Sequence, residues 1–310
     1  MRSQAVIFEA PGRLVVNDVV LTDPGVDDVV VESRWSGIST GTERLLWSGN
    51  MPPFPGLGYP LVPGYETVGT IVDASRAQVH RIGEQVFVPG SSAYEDVKGL
   101  FGGTAGTLIT SSAKAVRVDE AWADDSVLLA LAATAHHALA GGDLPDLIIG
   151  HGVLGRLMAR IAVAMGANDL KVCETNAARR DGATGYAVID PDADEARYAN
   201  IIDVSGDASV LDSMVRHLNP GGEIVLAGFY SDRVSFAFPP AFMKEARFRV
   251  AAEWKPADMD AVLALLREGR FALDGLITHR KPAADAANAY DTAFGDADCL
   301  KMVLNWSDLA

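Results

Sequence analysis

Gly150, Gly152 and Gly155 stand in the spacing G-x-G-x-x-G. They follow the apolar run Asp146-Leu147-Ile148-Ile149 directly and precede a segment with apolar residues at 154, 157, 158, 161 and 165. Strand, glycine loop and helix in that order form a cradle for phosphate. Gly150 turns the chain tightly off the strand, Gly152 leaves room for a pyrophosphate against the backbone, and Gly155 lets the helix press onto the sheet. The helix start, His151-Gly152-Val153-Leu154, aims unpaired N–H groups and the positive end of the dipole at the same place. The next apolar run, Leu170-Lys171-Val172-Cys173-Glu174, reads as a second strand ending in a carboxylate. Glu174 is placed to accept a hydrogen bond from an adenosine 2′-hydroxyl and to repel a 2′-phosphate, which predicts NAD over NADP. Arg179 and Arg180 follow closely and work against that preference. The bland alternative is a glycine turn in a doubly wound sheet that binds no dinucleotide.

The elements around this loop alternate. Ala199 to Gly206 reads as a buried parallel strand ending in a glycine turn. Leu211, Met214, Val215 and Leu218 give the following helix its inward stripe, Asn219-Pro220-Gly221-Gly222 stops it, and Glu223 to Phe229 is the next strand. Right-handed crossovers stack such units into one parallel sheet with helices on both faces. Ser205, Gly206, Ala227 and Gly228, at the ends of these strands, are expected to complete the cofactor site, with the nicotinamide near Ala227-Gly228-Phe229. Between Gln4 and about Val118 the pattern differs. Short β-runs at 5–8, 14–16, 28–32, 67–72 and 85–88, broken by Gly and Pro, predict a small, mainly antiparallel barrel or sandwich. An apolar helix is expected between about Asp124 and Leu139, a further one carries apolar residues at 259, 262, 263 and 266, and the tail from Phe271 is expected to return to the first domain. The boundaries read from this are 1–120, 121–252 and 253–310.

With 41 acidic against 26 basic residues the net charge is −15, which opposes binding to nucleic acid or to an anionic membrane surface. The N-terminus has too short an apolar run for a signal peptide, and the apolar helix near 127–135 is too short to span a bilayer. These features predict a cytoplasmic location without stable membrane insertion. Two cysteines, Cys173 and Cys299, supply neither a disulfide framework nor a Cys-rich metal site.

Val62-Pro63-Gly64-Tyr65-Glu66-Thr67-Val68-Gly69, the glycine fingerprint with Met165-Gly166-Ala167, Asp203-Val204-Ser205-Gly206, Pro220-Gly221-Gly222 and Gly275 to Arg280 together resemble the medium-chain dehydrogenase/reductase superfamily along essentially the whole chain. The resemblance implies an α/β protein with a β-rich second domain: a GroES-like barrel domain plus a Rossmann doubly wound parallel sheet. Zinc-dependent members carry Cys, a Gly-His-Glu motif and a third Cys or Glu. Here Ser39, Tyr65 and Ala130 stand at the corresponding places, and none is a good zinc ligand. The four-cysteine lobe is missing between Pro89 and Phe101. We expect no metal. The rival is a site from Glu43, Glu66, His136 and His137. The two histidines are neighbours on a helix, so at most one is expected to face such a site, leaving one buried and one partly exposed. Without zinc, a base or hydroxyl relay must take the proton of the reacting alcohol. The candidates are Thr42, Tyr65, Glu66, Thr134 and His137. Tyr65 is equally readable as an amphipathic wall residue, and Glu43 and Glu66 as structural carboxylates.

The stretch from Trp35 to Tyr65 is dense in aromatic residues for a chain that is 7% aromatic. Its Pro/Gly-rich middle, Ser48 to Pro60, is stiff enough to present a flat apolar wall or simply to cover the barrel end. Gly37 to Gly49, Met51 to Gly56 and Gly150 to Arg156 resemble one branch of the superfamily, the dehydrogenases of a bacteriochlorophyll precursor. That resemblance implies oxidation of a 1-hydroxyethyl group on a tetrapyrrole macrocycle to acetyl, with NAD as acceptor. Trp47, Phe54 and Tyr59 are then expected to line the macrocycle pocket and Arg44 to meet its propionate. By analogy alone the assembly is a homodimer paired through the dinucleotide domains. The competing functions are a zinc-free quinone or enoyl reductase using NADPH, and a non-catalytic dinucleotide-binding protein.

Overall fold

The computed structural model describes residues 1–230 and 233–309. The chain divides into two compact units, Met1–Ala130 with Leu273–Ala310, and Leu131–Ala272. These breaks fall later than the sequence-based boundaries at 120 and 252.

In the first unit, strands β1 (Arg2–Ala10), β2 (Arg13–Val20), β3 (Asp28–Ile38), β4 (Leu61–Val62), β5 (Thr67–Ala74), β6 (Gln85–Val88), β7 (Lys98–Gly99), β8 (Thr107–Ser111) and β9 (Val116–Arg117) surround a short helix, α1 (Thr42–Ser48). Each β-run expected from the sequence lies inside one of these strands. β1 and β2 form a hairpin around Pro11-Gly12, where Gly12 takes φ +72°. β-branched residues point inward along both sheets, so Val29, Val31, Ile71, Val86 and Val88 close one core with Ala5 and Leu108. The expected helix from Asp124 is only partly α-helical. A 3₁₀ stretch runs to Leu128 because Ala123, at φ +45°, breaks the chain direction, and α2 (Leu129–Ala140) starts afterwards.

The second unit contains β10 (Leu147–Ile149), α3 (Val153–Met165), β11 (Lys171–Cys173), β12 (Ala187–Ile189), β13 (Tyr198–Asp203), α4 (Leu211–His217), β14 (Leu218–Leu226), α5 (Phe238–Met243), β15 (Arg247–Val250) and α6 (Pro256–Arg267). Its six-stranded sheet has the order β12-β11-β10-β13-β14-β15, with every pairing parallel. Counted in chain order this is third, second, first, fourth, fifth, sixth, the dinucleotide-binding order, whose direction reverses between β10 and β13. α3 buries Gly155, Leu157, Met158, Ala159, Ile161 and Ala162, because its apolar residues recur at helical spacing. α4 stops at His217, and Lys244 Nζ donates to the carbonyls of Val215, Arg216 and Leu218 at 2.8, 2.6 and 2.6 Å, supplying partners that a helix end lacks.

The tail returns to the first unit. β16 (His279–Pro282), α7 (Ala286–Gly295) and β17 (Met302–Asn305) complete it, and β17 pairs antiparallel with β3, Met302 opposite Ile38. The seven-stranded sheet then runs β16-β17-β3-β5-β6-β9, with β8 also on β3. Beside it stands a four-stranded sheet, β2-β1-β4-β7. Trp306 is fully buried and donates Nε1–H to Ser36 Oγ at 2.9 Å, which ties the tail to β3. Among the described residues no helix is long and apolar enough to cross a membrane.

Candidate active site

The fingerprint loop lies at the end of β10, where the strand order reverses. Gly150 has φ +104°, a left-handed conformation that favours glycine. A Cβ on Gly155 would overlap the Gly150 carbonyl, whose carbon would be 2.9 Å away, so the helix packs against the loop as closely as backbone allows. Gly152 is different. Its φ of −72° suits any residue, and a Cβ there would meet nothing within 4 Å. Among the described residues nothing requires glycine at the start of α3. An open space above helix N–H groups, kept clear of a side chain, fits a pyrophosphate. Val153 and Leu154 continue this first turn.

Glu174 ends β11 beside the loop. Its Oε2 accepts the His151 backbone N–H at 3.0 Å and its Oε1 accepts the Asn176 N–H at 2.8 Å. Oε1 also receives the Thr175 hydroxyl at 3.5 Å, whereas Oε2 keeps a further lone pair that suits a ribose hydroxyl. Arg180 is turned away from that task. It pairs with Asp190 at 2.6 Å and donates to the carbonyls of Glu174 and Thr175. The Arg179 carbonyl accepts from His151 Nδ1–H at 2.6 Å and from Arg156 at 2.9 Å. The His151 side chain is therefore structural: it is fully buried, with its Nε2 accepting the Tyr186 hydroxyl at 2.8 Å. Burial, with Arg156 nearby, holds its pKa below the ordinary histidine value, so the ring stays neutral. Only its backbone belongs to the glycine loop.

Across the switch point, Ser205 donates both N–H and Oγ–H to Asp203, at 3.1 and 2.7 Å. The Asp203 carbonyl accepts from Ala227 and Gly228, both at 2.9 Å. Gly206 and Gly228 pack backbone to backbone, since a Cβ on Gly228 would lie 2.8 Å from the Gly206 nitrogen. The two strand ends thus form one rigid rim beside the fingerprint.

In the first unit two of the residues at the expected metal-ligand positions, Ser39 and Tyr65, bond to each other. Tyr65 OH lies 2.6 Å from Ser39 Oγ and 3.5 Å from Thr42 Oγ1. Burial first, then the neighbouring Glu66 charge, raises the Tyr65 phenol well above its usual value, so it stays protonated and carries an O–H. Glu66 lies beneath this cluster, fully buried and paired with Lys301, whose ammonium also donates to the Ile38 carbonyl at 3.0 Å. Gly37 makes this pair possible, because a Cβ there would lie 2.9 Å from Lys301 Cε. Glu66 therefore supports the cluster from behind as one half of an ion pair, and is not presented to a substrate as a base. Glu43 is equally buried. Its Oε1 accepts the Ser39 N–H at 2.9 Å and its Oε2 the Tyr290 hydroxyl at 2.5 Å.

An aromatic surface leads to these hydroxyls. Phe101 meets Tyr65 edge-on at 5.4 Å, 85°, and Phe54 meets Phe101 at 6.0 Å, 70°. Phe54 is 42% exposed. Phe101 had no motif to mark it; only the folded chain brings it between the other two rings. Trp47 and Tyr59 are placed otherwise. Trp47 packs on Phe8 at 5.5 Å as part of the barrel core, and the Tyr59 hydroxyl donates to the Leu46 carbonyl. Arg44 donates to the Phe294 carbonyl at 2.5 Å and lies over the Phe294 ring.

Thr134 is half-buried on α2, in the second unit. The expectation for His136 and His137 needs correcting. Both are half-buried, and both reach one carboxylate: each Nδ1–H donates to Asp258 at 2.9 Å, one to each oxygen. Adjacent helical residues diverge, but Asp258 at the start of α6 stands between them with its two oxygens splayed. His137 is thus half of a helix clamp. Among the described residues no three His, Cys, Asp or Glu side chains form a group able to hold a metal.

A six-stranded parallel sheet in dinucleotide order, a glycine loop at its switch point and a β-rich unit carrying a hydroxyl cluster define a medium-chain dehydrogenase. The structure of acetophenone reductase from Geotrichum candidum in complex with NAD shares this fold, with a TM-score of 0.83 at 19% identity over 98% of this chain and 97% of that one. No family model matches the sequence. The 2-desacetyl-2-hydroxyethyl bacteriochlorophyllide A dehydrogenase of Rhodobacter capsulatus is 55% identical, and that of Cereibacter sphaeroides 54% identical, each over 99% of both chains. The chain belongs to this bacteriochlorophyllide dehydrogenase family.

Proposed function

We propose that this protein oxidises the hydroxyethyl carbinol of a bacteriochlorophyllide precursor to an acetyl group, with NAD as the hydride acceptor. The observation that carries the reading is the near-full-length identity to two enzymes of that name. Gly150, Gly152, Val153, Leu154 and Gly155 would hold the pyrophosphate, Glu174 the adenosine ribose, and Ser205, Gly206, Ala227 and Gly228 the rim toward the nicotinamide. A bound nicotinamide supplies the hydride acceptor. Tyr65, Ser39 and Thr42 would orient the carbinol oxygen, and as its hydride leaves for the nicotinamide the hydroxyl proton would pass along their hydroxyls to solvent water. Phe54 and Phe101 offer a flat apolar macrocycle a wall, where burial contributes about 25 cal/mol per Å². A steady-state assay with the hydroxyethyl pigment and NAD, following the long-wavelength absorption of the ring, tests this. No turnover with NAD, but reduction of quinones or enoyl groups with NADPH, would favour the reductase reading. Binding of NAD without turnover of either would favour a dinucleotide-binding protein.

We also infer a homodimer. β15 is the outermost strand of its sheet, and Phe238, Phe242, Met243 and Val250 near it are 66, 65, 77 and 77% exposed. An open strand edge beside exposed apolar side chains suits pairing with a second copy across a twofold axis. Sedimentation of the wild type against Val250→Lys tests it: the wild type should sediment as a dimer and the variant as a monomer.

A further inference from the structure

Glu43 stands outside the proposed hydroxyl cluster, one layer behind it. Its carboxylate accepts the Ser39 N–H at 2.9 Å, while the Glu43 N–H donates to the Ser39 carbonyl at 3.0 Å, so the two residues clasp each other across the start of α1. On the far side the Tyr290 hydroxyl, from α7, fixes the other carboxylate oxygen at 2.5 Å. Tyr290 is itself locked between Phe8 and Phe294, at 5.3 and 5.6 Å. The Ser39 backbone is held in this way, and its Oγ is the atom that meets Tyr65 OH at 2.6 Å. We propose that Glu43 is a positioning residue for the alcohol oxygen, acting through Ser39 to place the Tyr65 phenol. The proposal rests on the dehydrogenase function given above.

The groups facing Glu43 are Tyr290 from α7, Glu66 and Tyr65 from the chain entering β5, Lys301 from the chain entering β17, and the Ser39 N–H. Burial raises the Glu43 carboxyl to about 7, with Glu66 adding to the rise and Tyr290, the Ser39 N–H and Lys301 opposing it. The charge that holds Ser39 is therefore present on the alkaline side of that value and lost on the acid side. A carboxylate holds an N–H more strongly than the neutral acid does.

The test is the pH profile of kcat for pigment oxidation in wild type, Glu43→Gln and Tyr290→Phe, together with NMR titration of the Tyr65 ring signals in the same proteins without substrate. The wild type should show a step near the Glu43 value, higher on the alkaline side, with the Tyr65 signals following the same midpoint. Tyr290→Phe removes a bond that favours the ionised acid, so both midpoints should move to higher pH. Glu43→Gln should abolish both steps and lower kcat roughly 10- to 100-fold, the size expected for a misplaced reacting group, while KM for NAD stays unchanged. If Glu43→Gln does not fold, Tyr290→Phe alone decides. Profiles and Tyr65 signals that are identical in wild type and Tyr290→Phe would overturn the proposal and leave Glu43 as a helix-start contact. Absence of pigment turnover in wild type would instead refute the function, and the Tyr65 titration would still decide the positioning role.

Discussion

The Arg180 guanidinium lies 2.6 Å from the Asp190 carboxylate, and this pair settles where one of the two arginines that follow Glu174 points. Arg180 is spent on Asp190 and on two backbone carbonyls, which leaves it turned from the Glu174 carboxylate that we propose for the ribose hydroxyl.

Cofactor choice follows from that geometry. Glu174→Ala should weaken NAD by about 1.5–3 kcal/mol, the worth of a hydrogen bond to a charged group, or roughly 10- to 100-fold. Asp190→Ala should release Arg180 and tighten NADP. Fluorescence titration with both dinucleotides checks this, and tighter binding of NADP than NAD by wild type would refute the assignment.

Metal content follows from the pairing of Ser39 with Tyr65 at 2.6 Å. Two hydroxyls bonded to each other at ligand positions make a poor zinc site. Purified protein should hold far less than one zinc per chain and keep its activity in chelator. Stoichiometric zinc by elemental analysis would contradict this.

The two aromatic groups should separate kinetically. Phe54→Ala and Phe101→Ala should raise KM for the pigment with little change in kcat, since a wall binds substrate and transition state alike. Trp47→Ala should mainly cost stability, because Trp47 packs on Phe8. A fully buried Trp→Ala costs about 3–5 kcal/mol, and half-buried Trp47 less. If thermal unfolding and KM respond in the opposite pattern, the wall lies elsewhere.

The clamp of α2 onto α6 depends on Asp258. Burial pushes its carboxyl up, but the Lys255 N–H and the two imidazoles outweigh that and hold it below the usual carboxylate value. A depressed folded value means stability that is present above the unfolded value, about 3.9, and lost as pH falls through the folded one. Asp258→Asn should cost about 1.5–3 kcal/mol at pH 7, and the gap to wild type should close as urea unfolding is repeated below about pH 4. A gap independent of pH would show that the charge does not matter.

Much of this protein was legible without coordinates. The glycine spacing, the apolar run before it and the helical stripe after it depend only on neighbours in the chain, and so do the β-runs of the first unit, because local sterics and periodicity act over a few residues. Near-neighbour spacing also placed Glu174 at the end of its strand. Partnerships across long separations were not legible. Lys301 on Glu66, Tyr290 on Glu43, Phe101 between Phe54 and Tyr65, and one Asp258 under both His136 and His137 join residues far apart in sequence. Burial makes an unpartnered charged or polar group costly, and only the folded chain decides which residues arrive to partner it. Sequence spacing alone marks Trp47, Tyr59 and Glu66 as candidates, and only tertiary packing shows that Trp47 rests on Phe8, Tyr59 on the Leu46 carbonyl and Glu66 on Lys301.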